Sequence, residues 1–381
     1  MGGALKLFMK GQGLPSVSLA APPGNALTHL QTLTDDTGLI QHARYAIPDR
    51  RHGYCLDDNA RALALTARLP PAPEVFALAS IYASFLDHAW DREPLGGRGR
   101  FENFMSYDRE WLPDGGTVED EDAQARGVHA LALVALSDRP DAMRAWAGSL
   151  LIEAIRPPAL PLALGSPRAW AISVCTCRLL CCSTNTMSFA SEARDHARTV
   201  GPQLAERLLE LHRRGASVEW PWFEASLAYD NARLCEGALA GSFFDPALRE
   251  IGLETLNWLC ANQTAPDGHF RPFGNTGFGK PGVVDAPFDQ QPIEAWATID
   301  AAARAYELTG DPKWLSEAER AFAWFTGAND ANHTLIDSDG GCADGIQPNG
   351  LNANRGAEST LAWLHAAVAM RDLRSDRLAK D

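Results

Sequence analysis

The chain has 381 residues, of which 46% are hydrophobic, and its formal net charge is −14. This length is enough to bury a large core, and the acidic balance argues against a nucleic-acid partner, because an acidic surface repels phosphate groups. No run approaches the ~18 uninterrupted apolar residues of a membrane-spanning helix. Residues 1–24 also lack the apolar stretch and cleavage site of an export signal. We therefore expect a cytoplasmic protein with an N-terminal extension at 1–24 and no membrane partner.

An acidic or amide cluster followed by an amphipathic helical run recurs along the chain. The clusters begin at Asp57, Glu121, Tyr229, Asp289 and Gly356. Successive clusters are 64, 108, 60 and 67 residues apart, and a weaker helix start near Ser166 divides the longest interval. Six helix starts at a period of roughly 45–70 residues predict six helical hairpins.

The predicted helices alternate between an inner and an outer layer. A helical segment within 26–42 precedes the first inner helix. The predicted inner helices cover 57–68, 121–136, 166–180, 229–243, 290–308 and 356–370. The predicted outer helices cover 73–90, 141–155, 192–214, 246–262 and 312–327. The sequence therefore predicts an all-α protein, an (α/α)6 toroid of six helical hairpins at 25–371, with a charged tail at 372–381.

Polar residues at the same end of every inner helix would gather on one face of a closed ring. Three long loops, at 91–120, 265–288 and 337–355, precede three of the acidic clusters. Loops of this length are uncommon in compact domains unless they have a function. The alternative is that they only decorate the surface. Their aromatic side chains suit apolar sugar faces and their polar side chains suit hydroxyls, which favours a polar cleft at this face.

Two carboxylate doublets are the first candidates for acid and base. A single Asp at a helix start is usually a cap, but Asp57-Asp58 and Glu121-Asp122 each hold one carboxylate more than a cap requires. Two like charges held close together raise one pKa, as a general acid requires. We predict that the second member of each doublet, Asp58 and Asp122, faces the cleft and belongs to the catalytic set.

Glu224 is the third catalytic candidate. It follows an aromatic run that contains Trp220 and Trp222, and apolar surroundings favour the protonated form of a carboxyl group. It is therefore the preferred proton donor, the alternative being a surface Glu beside packed Trp residues. Trp220 and Trp222 are predicted to bind the substrate, and together with Phe278 and Phe288 they are expected to line or overhang the cleft.

Asp289 is the fourth catalytic candidate. The residues Gln290, Gln291 and Glu294 follow it and form a polar patch that can hold an attacking water or substrate hydroxyls. The other polar members of the clusters are also predicted to bind the substrate. They are Asp57, Asn59, Arg61, Glu121, Gln124, Arg126, Tyr229, Asp230, Asn231, Arg233 and Glu358.

The sequence holds one metal-like pattern, formed by Cys175, Cys177, Cys181 and Cys182. Only Cys177 and Cys181 have the spacing that shares one helix face, and no His lies nearby, so the pattern is a poor zinc site. Without an export signal the eight thiols are expected to be reduced. We therefore expect no metal, no cofactor and no disulfide.

Several of these runs, taken together, resemble a bacterial family of six-hairpin, glycosidase-like proteins. The runs are DDNARAL (57–63), NFMSYD (103–108), EDAQAR (121–126), WPWFE (220–224), YDNARL (229–234) and GAEST (356–360). The resemblance extends from about Leu33 to Met370. Members of this family occur alone or attached to glycosyltransferase domains, near genes for mannoside metabolism. The resemblance implies an (α/α)6 toroid that acts on carbohydrate, and it allows a glycosyltransferase partner.

The leading functional prediction is a glycoside hydrolase acting on a poly- or oligosaccharide. One carboxylic acid would donate a proton to the leaving oxygen and a second carboxylate would activate water. The resemblance implies inversion, which is common among six-hairpin hydrolases.

Two other functions remain open, and a polysaccharide lyase is a weaker option because no Tyr or His stands out in the motifs as its base. A sugar isomerase or epimerase on the same scaffold would use His as acid and base. However, His129 and His365 lie about two turns below the acidic clusters, where a buried core His is the simpler interpretation. The other function is that of a non-catalytic carbohydrate-binding module, which would partner a glycosyltransferase.

Overall fold

The computed structural model describes residues 26–92, 99–113, 118–275, 279–280 and 287–380. These ranges contain thirteen α-helices, one short 3-10 helix (Arg50–His52) and eight strands of two or three residues. Within the same ranges, no helix is both long and apolar enough to cross a membrane. The predicted all-α class is confirmed.

Six helices form the inner layer of a closed ring. They are α2 (Leu56–Arg68), α4 (Val118–Leu136), α7 (Pro167–Cys182), α9 (Ala232–Gly241), α11 (Pro292–Thr309) and α13 (Ala357–Lys380). Each packs against the next, and α13 packs against α2, so the ring closes. The predicted (α/α)6 toroid is therefore confirmed. The segment expected as a charged tail continues α13 as far as Lys380.

An outer helix packs against each inner helix. Five of them follow their inner partner in the chain: α3 (Pro73–Ala89), α5 (Asp141–Ile155), α8 (Ser188–Gly215), α10 (Ala247–Asn262) and α12 (Lys313–Phe325). The sixth, α1 (Thr28–Leu33), precedes all of them and packs against α13. A four-residue helix, α6 (Leu160–Ala163), lies in the connection before α7.

The strands form four antiparallel pairs in the loops around the ring. The pairs are β1 (Ala43–Arg44) with β2 (Ile47–Pro48), β3 (Tyr54–Cys55) with β6 (Phe104–Met105), β4 (Trp90–Asp91) with β5 (Arg100–Phe101), and β7 (Gly345–Gln347) with β8 (Gly350–Asn352). A bridge between Gln290 and Ile346 also ties the start of α11 to β7. Backbone pairing therefore holds loops whose sequence predicts no regular structure.

Local sequence signals account for where several inner helices begin and end. Ser166 caps α7 by accepting a hydrogen bond from the backbone of Ala169, and Pro167 occupies the first helical position, where no N–H is needed. Gly310 ends α11 in the left-handed conformation, with φ of 66°, which a residue without Cβ adopts at little cost. These signals fix the ends of the helices at the ring's two faces.

Small residues allow the inner helices to pack closely. On α9, Gly237 lies so near α7 that a Cβ at this position would be 2.4 Å from the Cβ of Ala171. Both positions are in the ring's inner layer, and Ala171 is fully buried. A side chain at Gly237 would therefore push α7 and α9 apart.

We predict that Gly237→Ala lowers the free energy of unfolding by about 1–3 kcal/mol, because overpacking strains a dense core. In an uncrowded helix the same change stabilises by roughly 0.5–1 kcal/mol, so the sign of the effect is diagnostic. Urea denaturation measures it. Ser80→Ala, on the exposed face of α3, is the control and should change little. A stabilised Gly237→Ala variant would contradict the close approach.

Candidate active site

A cleft of about 570 Å³ opens where the inner helices begin. Among the described residues, five carboxylates line it: Asp57, Asp58, Asp289, Asp344 and Glu358. They come from the first turns of α2 and α13, from the segment before α11 and from the loop that carries β7. The acidic starts of these helices therefore open on a common face of the ring.

Arg61 of α2 lies at the base of the cleft with only 3% of its surface exposed. Its guanidinium contacts three carboxylates, at 2.8 Å from Oδ2 of Asp57, 3.2 Å from Oδ1 of Asp58 and 3.1 Å from Oε2 of Glu358. One buried cation is thus shared by three acids. It ties α2 to α13 and orients the acids that it contacts.

Arg126 of α4 continues this network toward the ring axis. Its Nε lies 2.6 Å from Oδ1 of Asp57, and its Nη2 lies 2.9 Å from Oδ2 of Asp230. Asp230 is fully buried and also contacts Arg233, which in turn pairs with Asp300 of α11. Burial disfavours the charge of Asp230, but Arg233 and Arg126 outweigh it and lower the pKa of its carboxyl. Asp57, Arg126, Asp230 and Arg233 are structural members of one ion network.

Asp58 combines burial with access to the cleft. Burial raises the pKa of Asp58 to about 7; Asp57 and Glu358 also raise it, while Arg61 lowers it. The thiol of Cys55, 3.2 Å from Oδ2, donates to the same carboxyl group. A carboxyl with a pKa near 7 retains its proton for much of the time at neutral pH, as a general acid must.

Asp289 lies in the same cleft on the segment that enters α11. Its backbone N–H donates to Oδ1 of Asn275 at 3.3 Å, and its Oδ2 accepts from Nε2 of Gln347 at 3.3 Å. Gln291, two residues later, also lines the cleft. The structure therefore brings Asp58 and Asp289, two of the four predicted catalytic residues, to one site.

Asp122 lies behind the cleft wall instead of facing the cleft as predicted. Its carboxyl group accepts hydrogen bonds from the hydroxyls of Ser166 and Tyr229, and only 1% of its surface is exposed. Burial raises the pKa of Asp122. Tyr229 does line the cleft, so Asp122 reaches the site through the tyrosine that it orients.

Glu224 is held by Arg168, and the prediction of a free proton donor there is not supported by the geometry. Its Oε1 and Oε2 lie 3.2 Å and 2.9 Å from Nη1 and Nη2 of Arg168, a two-point charged contact. Arg168 is buried at the start of α7 and also donates to the backbone oxygen of Tyr229. The sequence places Arg168 at the weakest of the six helix starts, so this pairing was missed.

The prediction that Trp220 and Trp222 line the cleft and bind the substrate is wrong. They are 4% and 0% exposed, and both rings pack against Trp258, with centroids 5.0 Å and 5.8 Å away. Rings buried in this way offer no face to a sugar. Phe288 is half-buried against the core, and Phe278 lies outside the described residues.

Three other predicted binding residues support the backbone near the start of their helices. Asn59 accepts from the N–H of Leu39 and donates to the oxygen of Cys55. Gln124 exchanges two hydrogen bonds of 2.8 Å with the backbone of Phe101. Glu121 accepts from the backbone N–H groups at 165 and 166, just before α7. These contacts satisfy backbone groups and leave the three side chains away from the cleft.

Predicted binding residues around α9 and α11 also bond to neighbouring segments instead of facing the cleft. Glu294 is 2% exposed and accepts from the backbone and side chain of Asn231; burial raises the pKa of Glu294 to about 7, and Asp230 adds to the effect. Gln290 is fully buried and bonds to Trp324 and Asp330. None of these side chains lines the cleft, because each satisfies a buried group of a neighbouring segment.

Asp344 and His42 are among the cleft residues that were missed from the sequence. Asp344 accepts a 2.7 Å hydrogen bond from the N–H of Gly356, and burial raises the pKa of its carboxyl. His42 lies just before β1; burial lowers the pKa of its imidazole, and the nearby His52 lowers it further. Neither belongs to a periodic cluster. The acidic, Gly-rich composition of 337–355 was the only available signal, and it marked the loop without marking Asp344.

A second cavity of about 330 Å³ lies further along the inner helices, and Arg61 lines both spaces. It is bordered by His129 and His365. Burial lowers the pKa of His129 to about 4 and also lowers that of His365. The ring of His365 stacks on Trp296 with centroids 4.5 Å apart. Both histidines lie along this second cavity, outside the cleft.

The cysteine cluster lies on α7, where Cys175 and Cys177 are buried. Burial raises the pKa of both thiols. All eight cysteines are free. In the ranges that the structure covers, no group of three or more His, Cys, Asp or Glu side chains is arranged to hold a metal ion.

Comparisons with solved structures return sugar-active enzymes. The GH76 α-mannanase of Bacteroides thetaiotaomicron is 11% identical, with a TM-score of 0.60 over 94% of this chain and 95% of the other. The cellobiose 2-epimerase of Spirochaeta thermophila is 14% identical, with a TM-score of 0.63 over 94% and 96%. A D-mannose isomerase is 13% identical, with a TM-score of 0.55 over 91% and 95%.

The fold is that of six-hairpin sugar enzymes. At these identities the likeness establishes the architecture alone, because hydrolases, epimerases and isomerases share it. No protein-family model and no curated protein matches the sequence.

We predict that Arg126→Leu lowers the free energy of unfolding by about 3–5 kcal/mol, because it removes one of the two guanidiniums that contact each of Asp57 and Asp230 and leaves the buried network one positive charge short. Chemical denaturation measures the loss. Arg214→Leu, which removes an exposed pair with Glu210, is the matched control and should change stability little. If the two variants lost similar amounts of unfolding free energy, the ion network that contains Arg126 would not stabilise the ring.

Proposed function

We propose that the protein is a glycoside hydrolase acting on an oligo- or polysaccharide, with Asp58 as proton donor and Asp289 as the base that activates water. The observation that carries this proposal is the acidic cleft, in which a carboxyl group with a pKa near 7 lies among four other carboxylates. A protonated carboxyl group paired with a second carboxylate is the arrangement that glycosidic bond cleavage requires.

The assignment of Asp58 as the acid rests on its contacts. Arg61 is the only guanidinium within 4 Å of its carboxyl among the described residues, and it is shared with Asp57 and Glu358. Asp58 is also the more buried member of its doublet, at 8% side-chain exposure against 23% for Asp57. Burial with incomplete neutralisation favours the protonated carboxyl.

The assignment of Asp289 as the base rests on what the other carboxylates are bound to. Asp57 is held by two arginines through both oxygens, Glu358 contacts Arg61, and Asp344 accepts from the backbone at Gly356. Asp289 receives one amide hydrogen bond, from Gln347, and has no guanidinium within 4 Å among the described residues. Its carboxylate is therefore the most available to a water molecule.

The charge of the cleft supports the same chemistry. Glycoside hydrolysis passes through a transition state with oxocarbenium character, in which positive charge develops on the sugar ring. Fixed carboxylates around the cleft stabilise that charge without having to reorganise. With water attacking from the side opposite the leaving group, the reaction inverts the anomeric centre, and ¹H NMR of the first-formed product anomer tests this.

A sugar isomerase or epimerase is the second candidate, and His42 is the observation that favours it. A neutral imidazole in the cleft can take a proton from the carbon next to a carbonyl group, and the lowered pKa keeps His42 neutral at pH 7. One experiment separates the candidates. Incubation with disaccharides in D₂O gives new reducing ends for a hydrolase, solvent deuterium at C2 for an epimerase and solvent deuterium at C1 of the ketose for an isomerase. The comparisons do not support a glycosyltransferase partner.

We predict that Asp58→Asn and Asp289→Asn each reduce kcat at least about 100-fold while the far-UV circular dichroism is unchanged, since each removes one proton-transfer group. Release of reducing ends from a panel of α- and β-linked oligosaccharides is the assay. Asp36→Asn is the control, because Asp36 is exposed and pairs with Arg109. Near-full activity in both cleft variants would contradict the assignment of Asp58 as the acid and Asp289 as the base.

The activity is expected to fall as pH rises through about 7. Asp58 must be protonated to donate, and its raised pKa of about 7 places the loss of that proton at this pH. The basic limb of kcat against pH should therefore have a midpoint near 7 and should disappear in the Asp58→Asn variant's residual activity. A limb that persists unchanged in this variant would exclude Asp58 as the group that titrates.

A further inference from the structure

The turn between β1 and β2 carries an exposed aromatic residue at a position where the turn conformation favours another residue type. Tyr45 and Ala46 form the two-residue loop of this hairpin. Such loops need a positive φ at the first position, which Asn, Asp and Gly supply most easily. Tyr45 has φ of 55°, an unusual conformation for a bulky residue. The stability of the hairpin therefore does not explain why a tyrosine is there.

The backbone of Tyr45 is fixed on both sides by the last long loop. Its N–H donates to Oδ1 of Asn354 at 2.9 Å, and its carbonyl accepts from the N–H of Arg355 at 3.0 Å. The Arg355 side chain is paired in turn with Asp337 and Asp339. Tyr45 is thus presented on a braced loop, while 68% of its surface is exposed.

The segments that brace Tyr45 also line the cleft. His42 lies three residues before it, and Asn352 and Gly356 flank the two residues to which it bonds. The N–H of Asp344, itself a cleft residue, donates to the carbonyl of Asn354 at 2.8 Å. Tyr45 is therefore joined to the wall of the cleft through Asn354, which bonds to Asp344, and through Arg355, which precedes Gly356. Its position is at the rim.

We propose that Tyr45 forms an outer subsite that stacks on a sugar ring of a bound oligosaccharide, beyond the units held in the cleft. This inference rests on the proposed saccharide substrate. A tyrosine ring offers a flat apolar face with a polar edge, which matches the apolar C–H face and hydroxyl rim of a pyranose. The subsite would make the protein select longer chains over disaccharides. It supplies the exposed aromatic surface that the buried Trp220 and Trp222 do not.

The test is the binding of oligosaccharides of two to six units to the Asp58→Asn protein, so that no substrate is consumed. α-Linked manno-oligosaccharides and β-linked gluco-oligosaccharides are titrated by calorimetry, with and without Tyr45→Asn. We expect Tyr45→Asn to weaken binding of the hexasaccharide about five- to tenfold and that of the disaccharide less than about twofold. Its Tm should stay the same or rise, because Asn suits the turn. Tyr45→Phe keeps the ring and should bind as the parent does.

Phe243→Asn is the matched control, because Phe243 is another exposed aromatic residue, 52% exposed, just beyond the opposite end of α9. It should not change the dependence on chain length. The subsite would be overturned if Tyr45→Asn lost the same affinity for oligosaccharides of every length, or lost none at any length. It would also be overturned if neither oligosaccharide series bound to the protein. If the length dependence requires Tyr45 while the wild-type protein releases no reducing ends, the subsite stands and the proposed hydrolase fails.

Discussion

An alternating chain of arginine and carboxylate side chains along the ring axis is the constraint on which the cleft depends. Arg61, Arg126 and Arg233 connect acids of α2, α11 and α13 with Asp230, which lies just before α9. Arg126 itself belongs to α4, and Arg233 belongs to α9. Five of the six inner helices are thereby joined through buried charge. A buried charge without its partner is strongly destabilising, so the helices cannot shift independently. The position of each cleft residue at their first turns follows from this network.

The same network explains why one cleft carboxyl retains its proton. Asp57 contacts two guanidiniums, whereas Asp58 and Glu358 share one of them. Of the three acids that contact Arg61, the most buried is the one whose negative charge burial disfavours most. Asp58 is that group, with its pKa raised to about 7. The pairing of Asp57 with two arginines and the raised pKa of Asp58 are therefore two results of one distribution of charge.

Two carboxylates that were predicted to be catalytic, Asp122 and Glu224, lie behind the cleft wall and support Tyr229. Asp122 orients the hydroxyl of Tyr229, and Arg168, paired with Glu224, holds the backbone of the same tyrosine. From the sequence, Asp58 and Asp122 are equivalent, since each is the second acid of a doublet. Their roles differ because Asp58 shares an arginine at the base of the cleft, while Asp122 meets two hydroxyls behind its wall. That difference depends on residues 44 and 107 positions away.

The sequence by itself determined the architecture and the face of the ring where the site lies. Hydrophobic periodicity and helix-start signals are local, so the inner helix α2 and its return helix α3 could be predicted within one residue. Which cleft carboxyl has a raised pKa, and which aromatic ring is exposed, was decided by the tertiary structure alone. The charge state of Asp58 depends on Glu358 at the other end of the chain, and Trp222 is buried because Trp258 packs on it. Local patterns carry no information about such distant partners, and burial and electrostatics are properties of the closed ring.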